Sequence, residues 1–518
     1  MTFLITILNI IVFLIVLGVI IFIHELGHFF FARRADILCH EFALGMGPAV
    51  YQKEKGEITY SIRAIPLGGY VSMAGEEMGS VINKENRIGL NLDKEGNVVE
   101  FILTEEVEHQ IFGKVNDLDL VGEDYAPLFI EMLVDGELIK YNVSRTAKYI
   151  FTEKKKMQIA PAERNYQNKT LWQRFLVVFA GPAANFLLAF FLLFILAFFI
   201  GKPSNKNVIG KVDTNVITDN RIQKGDVVTA VNGKSVSTFD DIRIALKENA
   251  NDTIVFTIDN EDVVLDLSIV MQGLGFTNQF GNRDVLVGQS FGKEKDLLSN
   301  DKILGIFMSK DLKVSEDLID YTSINNWADL IKYSSNNSEL EHVYLKVERN
   351  GEIKEISYVN LFESTITELG SSYIGYGAGF SQNRSFNILY PLYYPFLQIG
   401  SDVKEMFTTI GLLFKPNTGV GVGDLSGPIG IFSIVSGSIK NGFSSFIQLV
   451  AFLSINIGLL NLLPIPALDG GRLVFIGYEA VTRKKVNQKV ENTLITITFV
   501  LLFALMIFVT FKDIIRLF

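Results

Sequence analysis

Val19-Ile20-Ile21-Phe22-Ile23-His24-Glu25-Leu26-Gly27-His28-Phe29-Phe30-Phe31 is the stretch on which the reading of this chain turns. It closes an apolar run from Phe3 to Ala32, long enough to cross the ~30 Å hydrocarbon core of a bilayer as one helix. Ionisable groups at the end of such a run are costly to bury unless something binds them, so they mark a functional site by default. Three further runs meet the ~20-residue requirement for a span or nearly so: Phe175 to Ile200, Phe446 to Leu463 and Thr493 to Phe511. With 518 residues, 48% of them hydrophobic, and a mean hydropathy of +0.29, the chain is too apolar for an ordinary soluble protein of its size. The expected fold is a polytopic α-helical membrane protein with four transmembrane helices.

Charge and cysteine usage narrow the chemistry. A net charge of -10 without a Gly-rich phosphate loop or a long basic block argues against nucleic acid as a partner. The single Cys39 permits no intramolecular disulfide and no four-cysteine zinc cluster, so a metal would have to use His and carboxylate. No Lys or Arg precedes the first run and no Ala-x-Ala-like site follows it, which reads as a retained helix. Cations follow the first run (Arg33, Arg34), precede the second (Lys169, Arg174) and separate the third from the fourth (Arg483, Lys484, Lys485, Lys489). These groups mark the cytoplasmic side, which places both termini and residues 202–390 outside the cytoplasm.

His24 and His28 stand at i and i+4, one helical turn apart on one face, the spacing that lets two ring nitrogens grip one ion. Glu25 lies between them in sequence, placed to take a proton from a water that the ion acidifies. Two His leave zinc short of a third protein ligand. The candidate is Asp469, in Asn461-Leu462-Leu463-Pro464-Ile465-Pro466-Ala467-Leu468-Asp469-Gly470-Gly471-Arg472, where two prolines unwind the end of the third run. Backbone broken at membrane depth is tolerated where it is buried in protein or lines a wet cavity. An Asp-Gly-Gly turn can also be merely a turn, but the first and third runs reach the same boundary at the ends that carry His28 and Asp469.

The segment between the second and third runs looks duplicated. Gly225-Asp226-Val227-Val228, Val231-Asn232-Gly233, Phe239-Asp240-Asp241 and Thr253 to Ile258 have a later partner in Asn300-Asp301-Lys302-Ile303, Asn326-Trp327-Ala328-Asp329 and Val343 to Val347. Lys224 to Gly233 resembles the core of a bacterial PDZ domain. The second copy is more degenerate, with Asn300 where the first has Gly225.

Together with His24-Glu25-Leu26-Gly27-His28 and Leu468-Asp469-Gly470-Gly471, the stretches Phe42 to Pro48, Ile65 to Val71 and Gly181-Pro182-Ala183-Ala184-Asn185-Phe186 resemble the bacterial site-2 proteases, a family of intramembrane zinc metalloproteases. Four spans with tandem PDZ-like domains between the second and third are closest to the regulator-of-sigma-E type. The resemblance implies a zinc metalloendopeptidase with Zn2+ on His24, His28 and Asp469, Glu25 as catalytic base, and Asn456 and Asn461 as substrate contacts. It also implies a hairpin near Tyr60 to Met73 dipping into the membrane, whose edge strand, Ile62 to Pro66, pairs with an unwound substrate; a plain surface hairpin is the alternative. The implied substrate is a transmembrane protein, an anti-sigma factor or remnant signal peptide, cut after a first protease has acted. The implied place is the bacterial inner membrane, with the site near its cytoplasmic face.

The expected organisation follows: a first transmembrane helix (1–33), a loop and membrane-associated β-hairpin (34–75), a cytoplasmic insertion with an amphipathic lead-in (76–170) and a second transmembrane helix (171–201). PDZ-like α+β units at 203–272 and 280–368 come next, then an interfacial helical segment (385–415), the third transmembrane segment with Leu-Asp-Gly-Gly (444–475) and the fourth helix (490–512). The insertion departs from the family's usual connection. His40, His109 and His342 have no spaced partner and read as surface histidines. Gly181 to Asn185 is either a close-packing patch or a hydrogen-bonding site in the core. A membrane-tethered protease of soluble proteins would carry the motif in a polar lobe, and a zinc transporter would spread its ligands over several spans without needing Glu25.

Overall fold

The computed structural model describes residues 2–76, 81–153, 155–213, 217, 222–248, 253–282, 284–290, 296–311, 314, 318–414, 425, 427–440 and 442–517. Its helices are α1 (Thr2–Arg34), α2 (Leu171–Ile200), α3 (Phe239–Glu248), α4 (Trp327–Asn336), α5 (Glu363–Glu368), α6 (Tyr390–Phe414), α7 (Pro428–Lys440), α8 (Phe443–Leu462), α9 (Asp469–Thr482) and α10 (Gln488–Leu517). Four of them, α1, α2, α8 and α10, are long and apolar enough to cross a membrane. The chain divides into two compact units, one of residues 1–192 and 427–518, the other of residues 193–426.

In the first unit the third expected span ends, as expected, at a break before Asp469. α8 stops at Leu462 and α9 starts at Asp469. Pro464 and Pro466 between them lack an amide donor and disfavour helical backbone in the residue before each, so the helix breaks where those prolines stand.

Strands β1 (Cys39–Lys55) and β2 (Ile58–Met73) are too long for a simple ladder and fold over one another. The first part of β1 pairs on one side with the end of β2 (Phe42 with Val71, Leu44 with Gly69) and on the other with its beginning (Phe42 with Tyr60, Leu44 with Ile62). Ile62 is also paired with Tyr51 on the far side. Ile62 is therefore held between two strands and offers no free edge, whereas Arg63 and Ile65 each pair on one side, with Ala49 and Met46. The side chain of Pro66 lies outside the described residues. The strand left with an open side toward the helices is Gly69 to Met73.

The hairpin base is tied down by charge. The Arg164 guanidinium, 2.6 Å from Glu57, together with Arg33, holds the Glu57 carboxyl down to about 2. Beside it His40 is half-buried rather than at the surface, and burial pushes its imidazole down to about 4.

The insertion is a small β-domain of β3 (Arg87–Leu92), β4 (Val98–Ile102), β5 (Ile111–Asp119), β6 (Phe129–Val134), β7 (Glu137–Thr152) and β8 (Lys155–Gln158). Antiparallel pairs run β4-β3-β5-β6-β7-β8, and β4 pairs again, in parallel, with β7. That second pairing closes five strands into a ring and removes two edges. Leu90, Val98, Phe101, Val115, Ile130 and Met132 fill it.

The second unit contains β9 (Lys202–Pro203), β10 (Ile209–Val212), β11 (Val228–Val231), β12 (Lys234–Ser235), β13 (Thr253–Ile258), β14 (Glu261–Asp266), β15 (Ser268–Met271), β16 (Phe276–Asn278) and β17 (Val287–Ser290). It continues through β18 (Lys302–Ser309), β19 (Thr322–Ser323), β20 (His342–Arg349), β21 (Glu352–Val359), β22 (Ile374–Gly377), β23 (Phe380–Gln382) and β24 (Arg384–Ser385). Two of its sheets share one strand order, β12-β11-β13-β14 and β19-β18-β20-β21, each with a helix, α3 or α4, between its second and third strands in sequence. The copies match in backbone detail. Gly225 N–H donates to Ile209 O in the first and Asn300 N–H to Val287 O in the second, both at 2.8 Å.

Asn300 adopts φ 73°, so it supplies the left-handed turn that Gly225 makes at φ 106°, and the loss of glycine there is not a loss of the turn. The first copy also reaches beyond residue 272, because β10 pairs with β23. Each copy thus borders a Gly-x-Gly-Phe strand start, Gly377 to Phe380 beside β10 and Gly273 to Phe276 beside β17. His342, read as a surface residue, is 5% exposed inside this unit.

Candidate metal centre and active site

α1 presents His24 and His28 on one face, and both are buried at 8% exposure. Their Nε2 atoms lie 3.1 Å apart. Asp469, the first residue of α9, brings Oδ2 to 3.2 Å from His24 Nε2 and 3.3 Å from His28 Nε2. The proline break places it there, since an uninterrupted α8 would carry its carboxylate onward along the helix axis.

His28 Nδ1 lies 2.8 Å from Val177 O, a carbonyl that can only accept, so the ring proton sits on Nδ1 and Nε2 offers a lone pair. Asp469 Oδ2 is buried and has no hydrogen-bond donor among the described residues. Atoms of this kind converging at 3.1–3.3 Å repel one another unless a proton or a metal cation lies among them. Ligand bonds of about 2.0–2.1 Å in a tetrahedron leave neighbouring donor atoms about 3.3 Å apart, so the donor set and its spacing fit zinc.

Around this cluster is a cavity of about 420 Å³ lined by Glu25, Gly69, Tyr70, Asn461 and Arg472 among others. Two glycines set its walls. A Cβ at Gly181 on α2 would stand 2.2 Å from His28 Nε2, and one at Gly69 would stand 3.0 Å from Glu25 Cγ. The first lets α2 pack against the histidines; the second lets the open strand Gly69 to Met73 run directly past Glu25. Arg472, one turn beyond Asp469, is ion-paired with Glu76 at the cavity rim.

Of the residues singled out from sequence, His24, Glu25, His28, Asp469 and Asn461 come together here. Asn456, also on α8, is not among the cavity lining, and its Oδ1 is buried with no hydrogen-bond partner among the described residues. Ile62 lies outside the lining as well. Sequence reasoning missed the strand Gly69 to Met73, Glu76 and Arg472. The signal available for the strand was Gly68-Gly69 within the stretch Ile65 to Val71. Both readings of Gly181 to Asn185 are realised: Gly181 packs closely, and the Asn185 carboxamide lies 3.3 Å from His24 Nδ1.

A family model described as Peptidase family M50 matches residues 12–505. The chain is similar over 100% of both lengths, at 32% identity, to a Staphylococcus aureus (strain N315) relative whose name gives it as a zinc metalloprotease. It is 30% identical to zinc metalloprotease RasP of Shouchella clausii, covering 98% of each chain. It is 29% identical to regulator of sigma-W protease RasP of Bacillus subtilis, covering 98% of this chain and 99% of that one.

Proposed function

The chain belongs to peptidase family M50, the site-2 proteases, and we propose that it cuts peptide bonds inside transmembrane segments of membrane proteins, using zinc on His24, His28 and Asp469 and a proton carried by Glu25. It is a zinc metalloprotease and a multi-pass membrane protein. The single observation that carries the assignment of roles is the meeting of three buried lone-pair atoms from α1 and the start of α9 in a cavity that Glu25 also lines.

Zinc held there lowers the pKa of water and polarises a carbonyl. Glu25 takes the proton of the attacking water and returns it to the leaving amine, a general base and then a general acid. A peptide bond in a helix has its carbonyl tied into the helical ladder, so the substrate must unwind locally before attack. The open side of Gly69 to Met73 then supplies replacement backbone partners by strand addition, and Asn461 contacts the substrate from α8. Pro464 and Pro466 keep the backbone beneath Asp469 out of helix, so the carboxylate stays aimed across the cavity at α1.

The relative named as a sigma-W regulator supports an anti-sigma factor as substrate, cut after an extracytoplasmic protease has trimmed it; remnant signal peptides share the needed chemistry. Arg33, Arg34, Arg174 and the cations from Arg483 to Lys489 support a site near the cytoplasmic face of the inner membrane with both termini outside. The two copies of the second unit are read as PDZ-like domains.

The experiment is a Glu25→Gln variant purified from cells expressing candidate membrane substrates. It should keep zinc, co-purify with uncut substrate and lose roughly 10²–10⁴-fold in cleavage rate. Cleavage at the wild-type rate would remove Glu25 from the chemistry. A zinc transporter predicts a different result, in which this variant alters flux little and no protein substrate accumulates.

A further inference from the structure

We infer that Asn185 is a positioning residue for His24, its carboxamide oxygen accepting the imidazole Nδ1–H so that the Nε2 lone pair faces the metal position. The inference rests on the ligand set proposed above. An imidazole that offers Nε2 as a lone pair carries its proton on Nδ1, and that N–H, once buried, needs an acceptor. His28 has the Val177 carbonyl at 2.8 Å. The group at His24 Nδ1 is the Asn185 carboxamide, 3.3 Å away on a residue with 0% exposure.

With Nδ2 toward the ring, the amide would donate to Nδ1, push the proton to Nε2 and set a donor where a ligand is required. That orientation also leaves Asn185 Oδ1 buried with no donor among the described residues. Turning the amide by half a revolution exchanges O and N without changing its shape. The oxygen then receives the Nδ1–H, and the amide nitrogen takes the buried position that Oδ1 held. The arrangement parallels the acceptors that commonly orient metal-binding histidines from behind.

The backbone of Asn185 is fixed independently of its side chain. Ser454 Oγ on α8 donates to Asn185 O at 2.8 Å, and a Cβ at Gly458 would lie 3.2 Å from Asn185 Cβ. α2 and α8 therefore meet at the residue whose side chain addresses α1. One residue joins the packing of three helices to the direction of a ligand lone pair.

The test measures zinc affinity of the full-length protein in detergent, by competition with a chromophoric chelator, for wild type, Asn185→Leu, Asn185→Asp and Ser454→Ala. Asn185→Leu keeps the bulk and removes the acceptor, and should weaken zinc on the order of 10–100-fold, with cleavage restored by added zinc. Asn185→Asp keeps an acceptor oxygen and should bind zinc as tightly as wild type or tighter. Ser454→Ala should lower thermal stability without moving zinc affinity, which separates packing from positioning. Wild-type affinity in Asn185→Leu overturns the inference, as does an Asn185→Asp variant as weak as Asn185→Leu, because the amide would then act as a donor. Should Asn185→Leu fail to fold, the Asn185→Asp result decides alone. A failure of the ligand set itself shows elsewhere, as full zinc occupancy in Asp469→Ala.

Discussion

Gly181 stands where a methyl group would touch His28, and on the facing helix a Cβ at Gly27 would lie 2.2 Å from Ala180 O. These contacts fix how near α2 comes to α1, and so whether Val177 O and Asn185 reach the histidines. At the hairpin base, Glu57 between Arg164 and Arg33 yields a prediction with a definite sign. Its folded carboxyl is held at about 2 against an ordinary 4.5, so the pair's stabilisation is fully present above pH 4.5 and is lost as pH falls from there through 2. Glu57→Gln should cost on the order of 1–2 kcal/mol at pH 7 after solvent screening, read as a lower Tm. The gap should close as pH falls below about 4.5, and a gap that persists at pH 2 would show that the effect is steric. His24, Glu25 and His28 stood out in the sequence because that chemistry needs fixed types at fixed spacing, and because a charged group inside an apolar run is too costly to keep unless it binds something; Asp469 stood out through the proline break before it. Asn185 was legible only as one of two options, since a buried amide says nothing locally about which partner it meets. His342 was misread because burial in a sheet is a tertiary property.

The hairpin shows where legibility stops among elements. The hairpin expected near Tyr60 to Met73 is there as part of β2, yet which side stays open depends on register. That register is set by how β1 doubles back across both halves of β2. Four spans, the break before Asp469 and the duplicated strand order could be anticipated, because apolar length, proline and turn chemistry act locally. The return of the chain to pair β23 with β10 could not, because the two strands are far apart in sequence. With Gly69 to Met73 as the receiving edge, cleavage should be limited by how readily a substrate helix opens. A substrate with Gly or Pro near the cut should be cleaved faster than the same span made only of Leu, measured as initial rates in one detergent or liposome assay. Equal rates would mean that unwinding is not limiting and that strand addition is the wrong picture.

At the scale of the whole molecule, the β-rich part of the second unit begins and ends on strands hydrogen bonded to each other, β9 with β24 (Pro203 opposite Arg384). Residues 204–383 can therefore be replaced by a short turn with less disturbance than a deletion ending at 365, which would leave β22 and β23 without their partners β15 and β10. If the PDZ-like copies exclude bulky exported domains, this deletion should allow cleavage of an untrimmed substrate and leave the trimmed one cut at its former rate. Loss of cleavage of the trimmed form, in a protein still folded and zinc-loaded, would make them receptors instead. The turn retained at Asn300 gives the second copy the same backbone course as the first at that position, which sequence degeneracy alone would not suggest. The candidate metal centre brings together α1 and the start of α9, and every role proposed for the residues around it depends on Asp469 being a ligand. Zinc per chain, measured on purified wild type, Glu25→Gln and Asp469→Ala, tests this most directly. The expected result is about one zinc in the first two and little or none in Asp469→Ala, with cleavage only in wild type; full zinc occupancy in Asp469→Ala would contradict it.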